Sequence, residues 1–431
     1  MSDAEEILER IARGARPPVE GFDDVRRRRR RREAQRRAAA LVVAALVVVP
    51  GAWLGFRALG GLGGERAPSY SAIGPGNVSG LSVVWQRQTG GISGPSVTSD
   101  SATVYVGTTA GTLVALDPID GSEAWAAELD GLLTTKPAAA GGRVYAHTSR
   151  GTLYAFPSSC RTPCEPVWTA QTGSTASTPP TVAGGSVYIV STQGRLYAFP
   201  VGCGTGGAVC QPSWVAAAEQ HLPIQVAVSG DVVWDSSSTR LLPFATDCGT
   251  GGGDCSPLTD GFQPVLPLSS PPTVAGDVVY VGGSDGSVYA ISAACSRDAG
   301  ACRPLWVGGA GGAIVSAPVV AGDAVYVGSN DGRLYAFPAL CRTDGTTCQP
   351  TWVGRTGAPI GQSPAITGGV VVVSSGDDVY AFSASSAGHQ KPVARVPLGS
   401  RTLEPAVWTH RVVLVPTRSG TLFALAGGPS T

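Results

Sequence analysis

Beyond its first sixty residues this chain of 431 residues has no stretch with helical periodicity, and only 14% of its residues are charged. Long helices are therefore excluded from most of it. Residues 1–37 carry 12 Arg and 8 acidic residues, which leaves 19 basic and 23 acidic side chains for the remainder, with no basic stripe among them. The outer part thus lacks the electrostatic footprint of a nucleic-acid binder. His147, His221, His389 and His410 are scattered, with no triad spacing, and no Cys-x2-Cys accompanies them, which excludes the usual zinc arrangements. The Gly-rich runs Gly204–Gly207 and Gly251–Gly253 are not followed by Gly-Lys-Ser or by a helix, so they read as turns rather than phosphate loops. Gly282-Gly283-Ser284-Asp285-Gly286 has the letters of a nucleophile elbow, but it falls between two strand candidates rather than between a strand and a helix. What the chain does have is 59 Gly and 33 Pro among abundant Val, Tyr, Thr and Ser, the composition of many short strands joined by tight turns.

The one long apolar run is Ala38–Phe56, 19 uncharged residues, enough to cross a bilayer core at about 1.5 Å per residue. Arg26 to Arg32, Arg36 and Arg37 precede it and are held on the cytoplasmic side by the positive-inside rule. The sequence thus predicts a cytoplasmic Arg-rich tail (1–37), a transmembrane signal anchor (38–56), a flexible Gly/Ser/Pro-rich linker (57–77) and an extracytoplasmic domain (78–431) on a single-pass plasma-membrane protein. A cleaved signal peptide is the rival reading; no Ala-x-Ala site or lipobox cysteine supports it. Ile7, Leu8 and Ile11 give the tail a short helical pattern, whose bland reading is a frayed segment meeting anionic headgroups.

The outer domain repeats itself. One clear unit runs SAPVVAGDAVYVGSNDGRLYAFP from Ser316, followed by a loop and PTWVG ending at Gly354. Its central residue recurs as Tyr105, Tyr145, Tyr188, Trp234, Tyr280, Tyr326, Val372 and Leu414, at steps of 40, 43, 46, 46, 46, 46 and 42 residues. Each unit holds four strand candidates: in this copy Pro318–Ala321, Ala324–Gly328, Arg333–Phe337 and one centred on Trp352, with a two-residue Asp331–Gly332 hairpin between the second and third. Four-stranded units at this period read as propeller blades. The eighth unit ends on its third strand at Leu422–Ala426, and a spare strand, Val83–Val84–Trp85, precedes the first. The expected fold is therefore all-β, an eight-bladed β-propeller of four-stranded blades closed by an N-terminal strand and preceded by one transmembrane helix. The fourth strands carry Trp85, Trp125, Trp168, Trp214, Trp306 and Trp352, with Thr259 and Ala394 in the two weakest units. Residues repeated in this way serve blade-to-blade packing before ligand stacking.

Ten cysteines fall in five short pairs: Cys160/Cys164, Cys203/Cys210, Cys248/Cys255, Cys295/Cys302 and Cys341/Cys348. Each pair lies between the third strand and the fourth-strand position of units two to six, and each second cysteine opens a Cys-x-Pro. Ten cysteines admit many connectivities, but equivalent loops of neighbouring blades are apart while the ends of one short loop are close. Five local disulfides are expected, each adding at most roughly 2–3 kcal/mol by the loop-entropy argument, in an oxidising compartment. They would stiffen five loops on one rim of the disc, a candidate recognition surface.

The first unit, Thr103-Val-Tyr-Val-Gly-Thr-Thr-Ala-Gly-Thr-Leu-Val-Ala-Leu-Asp-Pro-Ile-Asp-Gly-Ser-Glu-Ala-Trp125, resembles the pyrroloquinoline-quinone repeat. That repeat is shared by quinoprotein alcohol dehydrogenases and by the propeller lipoprotein of bacterial outer-membrane assembly. The enzymes of this family bind the quinone beneath a disulfide between adjacent cysteines, hold calcium through a Glu, an Asn and an Asp, and use an Asp as base. Here no Cys-Cys occurs, and the only asparagines are Asn77 and Asn330. Asp231, Asp277, Asp285, Asp323 and Asp331 all occupy turn positions. The resemblance therefore implies the fold without the catalytic set. The leading expectation is a non-enzymatic binding or scaffold module for a protein or envelope ligand on one propeller face, with no catalytic residue, cofactor or metal. A divergent dehydrogenase using the quinone and calcium, and a ligand sensor acting through the tail, are the alternatives. His221, Gln362, Arg401 and Glu404 fall near blade entrances and are the candidates for a pocket in the central funnel.

Overall fold

The strands of the described residues form eight separate sheets, one per repeat, with consecutive strands of each blade antiparallel. The computed structural model describes residues 70–89, 92–100, 102–204, 207–217, 223–249, 255–297, 301–341, 347–385, 388–402, 405–409 and 411–428. The expected tail and membrane span lie outside the described residues, among which no helix is long and apolar enough to cross a membrane.

The blade of the clearest repeat, blade 6, runs Val319–Ala321, Ala324–Gly328, Arg333–Pro338 and Trp352–Arg355 in that spatial order. Its second strand is buried nearly throughout, as are Val104–Thr108 of blade 1 and Val278–Gly282 of blade 5. The chain supplies these strands with near-continuous apolar runs instead of alternating ones, because each blade is covered on both faces by its neighbours. The hairpin between second and third strands needs a glycine at positive φ: Gly286 has φ 83° and Gly332 φ 76°. A Cβ on Gly286 would also stand 2.8 Å from the Ala310 carbonyl oxygen.

Blade 4 departs from the pattern. It shows Pro223–Ser229, Val232–Ser237 and Leu241–Ala245, and its fourth position is held by a bridge between Leu241 and Phe262. Thr259, standing where other blades have Trp, lies in no strand. Two substitutions compensate. Trp234 replaces the second-strand Tyr and is wholly buried against Val279, Val281 and Ile291 of blade 5. The Ser296 hydroxyl donates to the Ala293 carbonyl at 2.8 Å, an acceptor equivalent to those that indoles reach in other blades.

Blade 8 joins both ends of the chain. Ser82–Gln88 pairs antiparallel with Thr421–Ala426, with Trp85 opposite Ala424. Ordered packing starts earlier than the expected domain boundary at residue 78. Ile73, Val78 and Leu81 are buried in one cluster with Val396, Leu398 and Leu425. Asn77, only 6% exposed, ties this segment together. Its Oδ1 accepts from Gly74 N at 2.8 Å, its Nδ2 donates to Ala72 O at 3.1 Å, and its carbonyl accepts from Gly428 N at 3.1 Å. Asn77→Ala strands the Gly74 amide and is expected to cost about 1–3 kcal/mol, read as a lower urea midpoint with unchanged slope.

Candidate functional site

Successive strands of a blade run antiparallel, so the first-to-second and third-to-fourth connections share one end of the propeller, while the second-to-third and fourth-to-first connections share the other. The sequence placed the disulfides at the former end, and the five bridges are Cys160–Cys164, Cys203–Cys210, Cys248–Cys255, Cys295–Cys302 and Cys341–Cys348. In every pair the second cysteine is buried and the first half-buried.

The buried cysteines explain what the loops do. Each loop reaches back and docks on the outer edge of the preceding blade. Cys164 N donates to Ala126 O at 3.1 Å, Cys302 N to Gly261 O at 2.8 Å and Cys348 N to Val307 O at 2.8 Å. Ala208–Cys210 lies as a parallel strand along Trp168–Gln171, with Cys210 opposite Ala170, and Cys255 bridges Ala216 in the same sense. The proline two residues beyond each second cysteine lacks an amide hydrogen and ends the docking. The loops of the stapled rim are thus also clasps that cover outer-strand edges, while Val209 and Leu340 in two of them stay exposed.

The fourth-strand tryptophans cross the same interfaces. Trp85, Trp125, Trp168, Trp214 and Trp306 donate their indole N–H to Pro118, Ser158, Val201, Thr246 and Ala339 carbonyls of the following blade, at 2.9–3.2 Å. Trp352 lies 5.8 Å from Tyr326 in its own blade and 6.1 Å from Phe382 in the next. Ala394 begins the outer strand Ala394–Pro397 of blade 7. Burial holds the second-strand tyrosines protonated: Tyr280 is pushed up to about 12, its hydroxyl donating to Ala339 O at 2.9 Å.

Among the residues considered for chemistry, Asp285 and Asp331 accept the amides of Ser287 and Arg333 and the hydroxyls of Tyr289 and Tyr335, which makes them hairpin caps. Gly282–Gly286 is a strand-to-strand hairpin. Gln362 is half-buried near the start of blade 7 and Arg401 exposed between blades 7 and 8; His221, Glu404 and His410 lie outside the described residues. His389 is exposed in the loop docked on blade 6. Among the described residues no three His, Cys, Asp or Glu side chains form a metal-binding group. All ten cysteines are engaged in loop pairs, none adjacent to another, so the donor set does not fit the quinone and its calcium.

The opposite end carries a feature that lies outside the repeat pattern. The connection from blade 4 to blade 5 includes Gln263-Pro264-Val265-Leu266-Pro267, where blades 5 and 6 leave through short Gly/Ala-rich turns. Val265 is 96% exposed and Leu266 50%. The base of the tip is fixed. Phe262 and Leu241 exchange two backbone hydrogen bonds (2.9 and 3.0 Å), Leu268 N donates to Ser238 O at 2.8 Å, and Ser284 N donates to Pro267 O at 2.9 Å. The Phe262 ring packs 5.0 Å from Tyr289. Exposed Asp260 and Asp285 flank the tip. The other exposed large apolar residues sit singly: Val83, Leu258, Leu305 and Val393 just before a fourth-strand position, Val209 and Leu340 in the disulfide loops, and Leu132, 43% exposed, in the connection from blade 1 to blade 2. The available signal was two apolar residues between prolines in an interval that the repeat left unassigned.

These features define a disulfide-clasped, eight-bladed β-propeller with one preorganised apolar tip. A family described as outer membrane protein assembly factor BamB matches residues 79–162 and 224–341, and the repeats matched there are pyrroloquinoline-quinone-like (PQQ-like) β-propeller repeats. No curated protein matches the chain. BamB from Moraxella catarrhalis is similar at 15% identity and a TM-score of 0.60, covering 80% of this chain and 99% of that one. The computationally designed protein Ika8 is similar at 12% identity and 0.63, covering 79% and 99%; the C-terminal WD40 domain of Sif2 at 13% and 0.64, covering 80% and 98%. At such identities the likeness to these structures is one of fold.

Proposed function

We propose that the chain is a membrane-tethered, extracytoplasmic, non-enzymatic module that docks a partner protein through the tip between blades 4 and 5. The observation that carries this reading is Val265, an almost wholly exposed apolar side chain on a loop fixed by prolines and backbone hydrogen bonds. A preorganised apolar knob loses little entropy on binding, and such residues become interface anchors. Asp260 and Asp285 beside it select a partner whose apolar socket has a basic border. The five disulfides support an oxidising compartment, the run Ala38–Phe56 supports a single span with the N-terminus inside, and the description of the matching family as an assembly factor agrees with a scaffold role.

The full chain in its own membrane, carrying a photo-crosslinking residue at position 265, is expected to yield one protein adduct. The same probe at Val209, 67% exposed at the disulfide end, is the control and should yield none of it. Val265→Asp should abolish partner capture while leaving the unfolding midpoint within about 1 °C, since that side chain is almost wholly exposed. Equal labelling from both positions would refute docking at the tip. Removal of residues 1–56 should release the protein from the membrane fraction.

A further inference from the structure

The covalent clasps are not distributed evenly. Disulfide loops cross interfaces 1/2, 2/3, 3/4, 4/5 and 5/6. At interface 6/7 the equivalent loop docks without a bridge: Gly388–Gln390 runs parallel to Trp352–Arg355, and Gly388 N donates to Thr351 O at 3.1 Å. At 7/8 the clasp is the segment before the first strand, whose Ile73, Val78 and Leu81 pack with Val396 and Leu398 of blade 7 while Asn77 meets Gly428. At 8/1 the turn Asp117–Ser122 is too short to lie along the outer strand, and contact is made through side chains: Trp85 Nε1 to Pro118 O at 3.0 Å and Arg87 Nη1 to Gly121 O at 2.7 Å. A cavity of about 200 Å³ remains there, lined by Arg87, Val106, Leu116 and Glu123 among others. A bridge at the foot of a docked loop limits how far its second cysteine can leave the strand it covers. Where no bridge is present, hydrogen bonds and packing alone hold the docked segment.

We propose that the cysteines form redox-sensitive locks, each of which fixes the shape of the loop that clasps one of the interfaces 1/2 to 5/6, and that interfaces 6/7 to 8/1, whose clasps hold no bridge, are the seam through which the ring opens. Attack falls on the half-buried first cysteine, because the second is shielded by the preceding blade. The thiolate of an external dithiol forms a mixed disulfide with the first sulfur and expels the second as thiolate. The dithiol's other sulfur then closes on its partner, and the clasp keeps two thiols. Two electrons and two protons pass from the dithiol, which leaves as a disulfide. The freed second cysteine no longer constrains the docked strand, and the reduced clasp is then held, like those of the seam, without a bridge.

Hydrogen exchange on the full chain, before and after dithiothreitol, tests this. The amides at positions 164, 302 and 348, which donate across locked interfaces, should exchange at least about tenfold faster after reduction, while the amide at 388 keeps its rate. Cys341→Ser with Cys348→Ser removes one lock without exposing the others to reductant, and should accelerate the amide at 348 while leaving that at 302 unchanged. Unchanged rates at 164, 302 and 348 in protein whose ten thiols all react with an alkylating reagent would overturn the proposal. So would a rise at 302 as large as that at 348 in the double variant, since the lock would then not be local.

Discussion

Trp168→Ala is expected to cost about 3–5 kcal/mol of unfolding free energy, the range for truncating a fully buried large aromatic. Trp168 is wholly buried, 5.9 Å from Tyr145 within blade 2, and its indole donates to Val201 O of blade 3 at 3.1 Å. Truncation therefore leaves a cavity in an interface that local relaxation cannot close, because the loop Cys203–Cys210 fixes the neighbouring backbone. Trp168→Phe should cost distinctly less, about 1–2 kcal/mol, since most apolar area survives and Val201 O retains a donor in Arg143 Nη1. Urea unfolding followed by near-ultraviolet circular dichroism separates the two variants. A loss below about 1 kcal/mol for Trp168→Ala would contradict a packing role across the interface.

The contrast between such positions and the clasps shows where local sequence is informative. The strand Ala324–Gly328 appears within its expected bounds, and Arg333–Phe337 is extended by one residue to Pro338. A period of 40–46 residues with a glycine turn in each unit leaves little freedom in how the strands pair within a blade. Pairing between blades is another matter. Cys210 facing Ala170 depends on how two units dock, and nothing within either unit encodes that register. Asn77 falls within the segment that the sequence assigns to the linker, because its partner Gly428 lies some 350 residues further along the chain. The tip at Val265 lies where the repeat pattern is interrupted, so periodicity carries no signal for it.

Compensation across interfaces follows the same logic. In blades 5 and 6, Gly282 and Gly328 make room for Ile314 and Ile360: a Cβ at either glycine would stand 2.5 or 2.4 Å from the isoleucine Cγ2. In blade 2 the corresponding pair is His147 with Ala176, a large residue and a small one exchanged in place. Volume is conserved across the contact, as close packing requires. The exchange nevertheless brings an ionisable ring into a site built for hydrocarbon.

That substitution predicts a pH dependence. His147 is fully buried, with Nδ1 accepting from Ala176 N at 3.3 Å and Nε2 2.8 Å from Thr172 Oγ1. The backbone amide can only donate, so Nδ1 is the bare nitrogen and Nε2 carries the proton, which it gives to the Thr172 oxygen. The Thr172 hydroxyl is in turn directed to the Ser174 carbonyl at 2.8 Å or the Gly151 carbonyl at 3.0 Å. A second ring proton would have no acceptor. Burial lowers the pKa from 6.5 to about 4, against the opposing pull of the Asp130 charge. The unfolded chain therefore binds a proton that the folded one refuses between these values, and stability is full above pH 6.5 and falls as the pH drops toward 4. The loss is about 3 kcal/mol across that window. His147→Gln removes the titration and should flatten this part of the profile, at a constant cost from imperfect packing. Urea midpoints measured at half-unit steps between pH 4 and 7.5 would show the slope in the native chain and its absence in the variant. A variant that kept the native slope would assign the protons to the carboxylates that titrate at the lower end of the same range.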